Sequence, residues 1–295
     1  MISNNYVLSL IQRIPRSLAI RKKTYSVRAW AALKHQRKRL KDLGNPQFYI
    51  WILGCQRSGT TLLERIFRQD LDSEVFGEFS RLTLGPDKTS LKPFKEVRKK
   101  LEGSNAHYCV IRPLFESDRA QEILDFFQPS VAVWMFREPL FVVNSMLNKW
   151  GDQFFNISRC VETGLDGKWR LESLYQDIKD EAKQLALNNG NIHDLYALYW
   201  LKRNEIVLQP GFQLNKSILL LDYGRLVREP RKWVDTIMKR AGNRGVWKYF
   251  STDAHQGSMN RQINLRLSPE IQERCNALYD KLCTLGKRDF PYEKN

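Results

Sequence analysis

Several features that mark particular classes of protein are missing from the sequence. No run of about eighteen or more apolar residues occurs, so no membrane-spanning helix is expected. The five cysteines form no Cys-x-x-Cys pair and are odd in number, so neither a disulfide framework nor a zinc site is expected, and a reducing cytoplasm fits best. The composition, with 42% hydrophobic, 12% aromatic and 27% charged residues, is typical of a folded globular protein.

Acidic residues are absent from the first 41 positions, which hold eleven of the 48 Lys and Arg residues. The remaining residues carry 37 basic and 32 acidic side chains, so most of the formal net charge of +16 belongs to this segment. Apolar residues recur there at spacings of three and four, as in an amphipathic helix. We therefore predict a basic helical arm at 1–44 and a single folded domain at 45–295. Two alternatives stay open: residues 1–41 lie on an anionic membrane surface, or the arm packs on the domain with its basic face in solvent.

Short apolar runs alternate with helical patterns through the domain. The runs predicted to be buried strands are 48–53, 108–111, 131–136 and 217–221. The predicted helices are 60–68, 117–127, 139–150, 171–188, 193–208, 230–241 and one that starts at 268. This alternation predicts an α/β fold in three layers, with a mostly parallel sheet between helices.

A glycine-bounded loop follows the first predicted strand directly. Gly54 and Gly59 take the two glycine positions of the P-loop pattern, and Thr61 takes its hydroxyl position. Thr60 stands where that pattern has lysine, and Arg57, inside the loop, is the replacement cation. Inward-turned backbone amides and the following helix N-terminus bind phosphate in such loops. The sequence therefore predicts an anion site at 54–61.

A sulfuryl group fits this loop better than the γ-phosphoryl group of ATP. It carries less negative charge, so fixed donors and a cation can stabilise its transfer with less need of bridging Mg²⁺. The segment Gln56-Arg57-Ser58-Gly59-Thr60-Thr61-Leu62-Leu63 resembles the 5′-phosphosulfate loop of the PAPS-dependent sulfotransferase superfamily. Its Arg-Ser-Gly-Thr core is similar to the loops of the tyrosylprotein and carbohydrate sulfotransferase branches and of their bacterial relatives.

The resemblance covers roughly residues 48–285 and implies a sulfotransferase fold of the P-loop NTPase-like type. It also implies 3′-phosphoadenosine 5′-phosphosulfate (PAPS) as the sulfuryl donor, without a metal. The residues implied to bind the phosphosulfate are Gln56, Arg57, Ser58, Gly59, Thr60 and Thr61.

A second motif begins where the predicted strand 131–136 ends in Arg137. Ser145 follows eight residues later, about two turns into the next predicted helix. An arginine at the carboxyl end of a strand and a serine on the next helix can converge on one anion. The pair resembles the 3′-phosphate motif of the family, which implies that Arg137 and Ser145 bind the ribose 3′-phosphate.

The resemblance also implies catalytic residues. Gly77-Glu78 stands where tyrosylprotein sulfotransferases carry Gly-Glu-Glu-Thr-Arg, which implies Glu78 as the base, although Phe79 departs from that pattern. The segment around Arg112 resembles the family's Lys-x-Pro, which implies that Arg112, with Arg57, stabilises the transferring sulfuryl group. Arginine does this as a fixed charge, since it hardly donates a proton.

Two further matches are looser. The segment from Leu219 to Pro230 resembles the family's strand followed by Tyr-Glu-x-Leu, which implies that Tyr223 lies near the adenine or the donor; Gly224 replaces the usual acid. Ser258 and Arg261 belong to a polar segment that is similar to the part that closes over the nucleotide in the family.

The function predicted from these residues is in-line sulfuryl transfer from PAPS to a hydroxyl or amine, with Glu78 as base. Carbohydrate is the first choice of acceptor, and a tyrosyl peptide or a small metabolite is the alternative. A Mg²⁺-dependent P-loop kinase is an alternative of another class, for which Asp222 is the only candidate metal ligand at a strand end. A polyanion-binding module based on the arm is a third, although motifs for nucleic-acid binding are absent and nucleic acid is not expected as a partner. The expected location is the cytoplasm, with the inner membrane surface as an option for the arm.

Overall fold

The apolar runs of the sequence form the strands of one sheet in the computed structural model. The structure describes residues 47–70, 72–85, 88–104, 106–113, 115–151, 175–188, 191–242 and 263–289. The strands are β1 (Phe48–Gly54), β2 (Ser73–Phe76), β3 (Thr83–Gly85), β4 (Lys88–Leu91), β5 (Tyr108–Ile111), β6 (Ser130–Phe136) and β7 (Ile218–Asp222). Five of them form a sheet in the order β2-β5-β1-β6-β7, and each neighbouring pair is parallel. β3 and β4 form a separate antiparallel pair.

Helices cover both faces of the sheet. They are α1 (Thr60–Phe67), α2 (Phe94–Glu102), α3 (Ala120–Phe126), α4 (Pro139–Trp150), α5 (Tyr175–Leu187), α6 (Ile192–Glu205), α7 (Pro210–Leu214), α8 (Tyr223–Arg228), α9 (Pro230–Arg240) and α10 (Pro269–Asp289). Successive residues of a strand face opposite sides. Accordingly Trp51 and Leu53 of β1 lie in a core with α4, α6 and α10, whereas Ile50 and Ile52 lie in a second core with α1 and α9. The predicted three-layer α/β fold is confirmed.

Some local predictions differ from the structure. Strand β2 was not predicted, because its four residues at the sheet edge include only two large apolar side chains. The predicted helix 117–127 is divided into a 3-10 turn, Glu116–Arg119, and α3. The predicted arm, 1–44, lies outside the described residues, as do Ser258 and Arg261.

Strand β1 lies at the point where the order of the sheet reverses. The chain passes from β1 to the β2 edge and returns through β5, and then continues on the other side of β1 through β6 and β7. Ligands of open α/β sheets bind at the carboxyl ends of the strands beside such a point. The loop after β1 and the residue after β6 therefore meet at one place.

Helix α6 is buried on nearly all sides and fixes the loops at this end of the sheet. Its N-terminus has a capping box between Asn191 and Asp194, which satisfies amides that helical bonding leaves open. The indole Nε1–H of Trp200 donates to the Arg137 carbonyl at 3.1 Å, and the Arg203 guanidinium donates to the Phe115 carbonyl at 3.2 Å. The segments after β5 and β6 are thus both held by one helix.

Asn204 of α6 forms a buried polar link to the sheet. Its side-chain oxygen accepts from Trp134 Nε1 at 3.1 Å, and its Nδ2 donates to the Trp200 carbonyl at 2.8 Å.

No helix within the described ranges is long and apolar enough to cross a membrane.

Replacing Asn204 by leucine should lower the free energy of unfolding by about 1–3 kcal/mol, because the buried Trp134 Nε1–H loses its acceptor. Urea unfolding monitored by tryptophan fluorescence measures this change. The control is Asn148→Leu on α4, where the exposed side chain bonds only to Asn144 among the contacts described; it should stay within about 0.5 kcal/mol. Equal losses in the two variants would contradict the structural role of Asn204.

Candidate donor and base site

Each of the two loop glycines lies so close to a neighbouring residue that a side chain there would clash with it. Gly54 has φ +121°, and a Cβ there would stand 2.2 Å from the Met135 carbonyl oxygen of β6. Gly59 has φ +95°, and a Cβ there would stand 2.3 Å from Cδ2 of Tyr223. Both the backbone angle and the lack of space exclude other residues. The loop is therefore closed tightly against β6 on one side and against the Tyr223 ring on the other.

The loop presents unsatisfied donors. Helix α1 begins after Gly59 with no side-chain cap and no acidic residue in its first turn, so its first amides are open to an anion. The Ser58 hydroxyl is buried, and within the described ranges it has no nitrogen or oxygen partner; it lies near the thiol of Cys55. Burial raises the pKa of that thiol to about 12, so Cys55 is a neutral spacer.

The loop and the second motif meet directly. Arg57, whose φ of 67° is unusual for a residue with a side chain, donates from Nε to Ser145 Oγ at 3.0 Å. The guanidinium carbon of Arg137 stands 4.2 Å from the ring centroid of Tyr223, which also packs on Gly59. The structure thus brings Arg57, Arg137, Ser145 and Tyr223 together at one end of the sheet.

Arg137 is a partly buried cation with a second cation near it. Burial lowers its pKa, and the positive charge of Arg57 acts in the same direction, while Tyr223, Asp222 and Glu138 act against it. A bound anion would offset both effects.

Gln56 is fixed by a residue that sequence patterns did not single out. The hydroxyl of Tyr199, on the buried helix α6, donates to Gln56 Oε1. Burial raises the pKa of Tyr199, so the group stays a neutral donor. A tyrosine within an apolar helix is typical of a core position, and only the fold places it beside the loop.

Glu78 and Arg112, predicted from separate segments, form an ion pair. Arg112 Nη1 donates to Glu78 Oε2 at 3.1 Å, and Arg112 Nε donates to Glu64 on α1. The backbone amide of Arg112 donates to the Phe76 carbonyl at 2.8 Å, which sets it beside the end of β2. An arginine between two carboxylates contributes little net positive charge. In the structure Arg112 therefore links Glu64 to Glu78.

Glu64 was missed by the sequence analysis. It accepts from Arg68 Nε at 2.8 Å, and a Glu–Arg pair four residues apart is typical of a solvated helix face. Its bond to Arg112 crosses 48 positions and has no local signal.

Asp222 caps a helix. Its Oδ1 accepts from the Arg225 amide at 3.0 Å, and its Oδ2 accepts from the Tyr279 hydroxyl at 3.2 Å. Within the described ranges no group of three His, Cys, Asp or Glu residues is arranged to hold a metal ion.

Comparisons with known proteins bear on the fold. No model of a protein family matches the chain, and no curated protein matches it. The sulfotransferase from Alicyclobacillus acidocaldarius is similar in structure, with a TM-score of 0.50, 12% sequence identity, and coverage of 83% of this chain and 95% of that one. The sulfotransferase domain of the Synechococcus PCC 7002 olefin synthase has a TM-score of 0.47, 15% identity, and coverage of 80% and 95%. The sequence-based expectation is confirmed at the level of architecture, and the chain has the sulfotransferase fold.

Proposed function

We propose that this chain binds PAPS and transfers its sulfuryl group to a hydroxyl or amine acceptor. One observation carries the proposal: Arg57 of the lysine-free loop and Ser145 of the second motif, 88 positions apart, are joined by a 3.0 Å hydrogen bond. A nucleotide with anionic groups at both its 5′ and 3′ positions is the ligand that needs both motifs in one place.

The residues at the loop fit the 5′ group of such a donor. The open amides at the start of α1, the buried Ser58 hydroxyl and the Thr60 and Thr61 positions supply hydrogen-bond donors to an oxyanion. Gln56, fixed by Tyr199, lies in the same loop. The donor supplies the activated sulfuryl group when it is bound.

The residues around Arg137 fit the 3′-phosphate. Its guanidinium is partly buried and stacked on Tyr223, and Ser145 lies within reach of the neighbouring Arg57. Arg57 has an exposed side chain, so it can turn from Ser145 toward the sulfuryl group, as the catalytic role proposed for it requires.

Glu78 is the proposed base. Its side chain is 25% exposed, so an acceptor can reach it, and Arg112 binds Oε2, which leaves Oε1 to take the proton of the acceptor. Phe79, next to it, is 69% exposed and offers an apolar ring on the acceptor side. Carbohydrate is the proposed acceptor class, and a tyrosyl peptide or a small metabolite is the alternative.

The kinase alternative has less support from the contacts described. It needs an acidic Mg²⁺ ligand, and both carboxylate oxygens of Asp222 already accept hydrogen bonds. Turnover of PAPS in EDTA would eliminate this alternative, whereas Mg²⁺-dependent ATP turnover would favour it.

The nucleotide site should prefer 3′-phosphoadenosine 5′-phosphate over 5′-AMP by about 100-fold in Kd, roughly 3 kcal/mol, because Arg137 and Ser145 meet the extra phosphate. Calorimetry on the full chain measures both affinities. Ser145→Ala should weaken the bisphosphate by about 10-fold and leave AMP unchanged, while Asn148→Ala on the same helix changes neither. Equal affinity for the two nucleotides would show that the 3′-phosphate assignment is wrong.

Glu78→Gln should lower sulfuryl transfer by about 10²- to 10⁴-fold, because the amide cannot take the proton of the acceptor. Nucleotide affinity should stay within about 2-fold, since the loop is unaltered. Transfer is measured by mass gain on an acceptor identified by screening with labelled PAPS. The matched control is Glu122→Gln, an exposed carboxylate paired with Arg119. Full activity of the Glu78 variant would exclude this residue as the base.

The basic arm gives a separate proposal on location, a cytoplasmic protein that contacts the inner membrane surface through residues 1–41. If so, the full chain should co-sediment with phosphatidylserine vesicles at low salt, and a variant lacking residues 1–44 should not, because about 1 kcal/mol per basic residue is lost. Equal sedimentation of both would favour the other alternative, an arm packed on the domain.

A further inference from the structure

We infer that Glu64 is a positioning residue for the proposed base. It holds Arg112, and through Arg112 it sets the carboxylate of Glu78. This inference rests on the proposed function, because it assigns Glu64 a part in the same reaction. Glu64 does not itself touch the acceptor or the donor in this assignment.

The three charged groups form a continuous chain of contacts. The side chains of Arg112 and Glu64 are 9% and 7% exposed, and Glu78 is the most exposed of the three at 25%. Arg112 uses Nε for Glu64 and Nη1 for Glu78, so two edges of one planar guanidinium are held. The plane of the guanidinium, and with it the direction of the Glu78 carboxylate, is therefore fixed from the Glu64 side.

Burial makes Glu64 necessary to this arrangement. A buried arginine needs hydrogen-bond acceptors for its N–H groups. Removal of one carboxylate partner leaves an uncompensated buried charge, which strongly destabilises the arrangement. Without the charge of Glu64, Arg112 would either take both oxygens of Glu78 or turn toward solvent. Each change displaces the carboxylate that we assign as the base.

Gly77 gives an independent observation. A Cβ at this position would stand 3.2 Å from Oε1 and 3.4 Å from Oε2 of Glu64. The Glu64 carboxylate therefore lies close to the Gly77 backbone, and a Cβ at position 77 would require it to shift by a few tenths of an ångström. Glu64 thus lies beside the segment that carries Glu78, in addition to its link to Glu78 through Arg112.

Glu64 also connects the base to the donor loop. It lies on α1, four residues after Thr60, which corresponds to a rise of about 6 Å along the helix. The same short helix carries the amides proposed to bind the 5′ group. The position of Glu78 is therefore set relative to the donor by a rigid element, which is what in-line transfer requires.

The simpler interpretation is that Glu64 only stabilises α1 through its pair with Arg68. The two interpretations predict different results for Glu64→Gln and Arg68→Ala. If Glu64 positions the base, Glu64→Gln should lower kcat by about 10- to 100-fold with the Kd for 3′-phosphoadenosine 5′-phosphate within about 2-fold, and Arg68→Ala should leave kcat within about 2-fold. Equal effects of the two variants on kcat would overturn the inference.

A double-mutant cycle shows whether the effect passes through Glu78. In a Glu78→Gln background, adding Glu64→Gln should change the residual rate by less than about 2-fold, because the base is already lost. The same loss in both backgrounds would overturn the inference. If Glu64→Gln does not fold, Glu64→Asp takes its place in the cycle, because the shorter side chain keeps the charge but draws the carboxylate away from Arg112; the same outcomes apply.

A readout without turnover separates this inference from the proposed function. In ¹⁵N spectra of arginine side chains, the Arg112 Nε–H signal, assigned with Arg112→Lys, should exchange slowly in the wild type and in Glu78→Gln. It should exchange rapidly in Glu64→Gln. A wild type that transfers no sulfuryl group from PAPS overturns the proposed function, whereas an active wild type with a fully active Glu64→Gln variant overturns only the positioning role.

Discussion

The polar side chains of the buried helix α6 are the constraint on which the site depends. Tyr199 bonds to Gln56, Trp200 to the carbonyl of Arg137, and Arg203 to the carbonyl of Phe115. Buried polar groups must find partners, so each of these bonds is costly to break. Because the three partners follow β1, β6 and β5, one helix fixes the segments at the carboxyl ends of three adjacent strands. The loop and the second motif are positioned by this helix as much as by the sheet.

Two clusters of polar and charged side chains lie near helix α1. Arg57, Arg137 and Ser145 form a cationic and polar cluster suited to phosphate, with Tyr223 packed between Arg137 and the loop. Glu64, Arg112 and Glu78 form a cluster in which negative charge prevails. Helix α1 begins three residues after Arg57 of the first cluster and carries Glu64 of the second. The reaction that we propose, with an anionic donor and an acceptor that loses a proton, uses both environments.

Local patterns in the sequence predict the four longer or more apolar strands, the loop after β1 and the helices α1, α4, α5, α6, α9 and α10, because burial and glycine geometry leave strong local signals. The motif at Arg137 and Ser145 lies beside the loop in the structure, through the contact of Ser145 with Arg57. Strand β2 lacks such a signal, since it is short and lies at the edge. Tyr199 and Glu64 also escape prediction, because their partners are 143 and 48 positions away. Contacts of this kind follow from the fold and not from any segment alone.

The packing of Tyr223 on Gly59 links two distant positions in the evolution of the chain. The Tyr223 ring fills the volume that any side chain at position 59 would need, and the positive φ of Gly59 disfavours other residues even where that volume is opened. Of these two residues, only Tyr223 can therefore be replaced readily. Its ring also faces Arg137. Among descendants of this sequence, substitutions in this pair should therefore appear at the tyrosine, with the glycine retained.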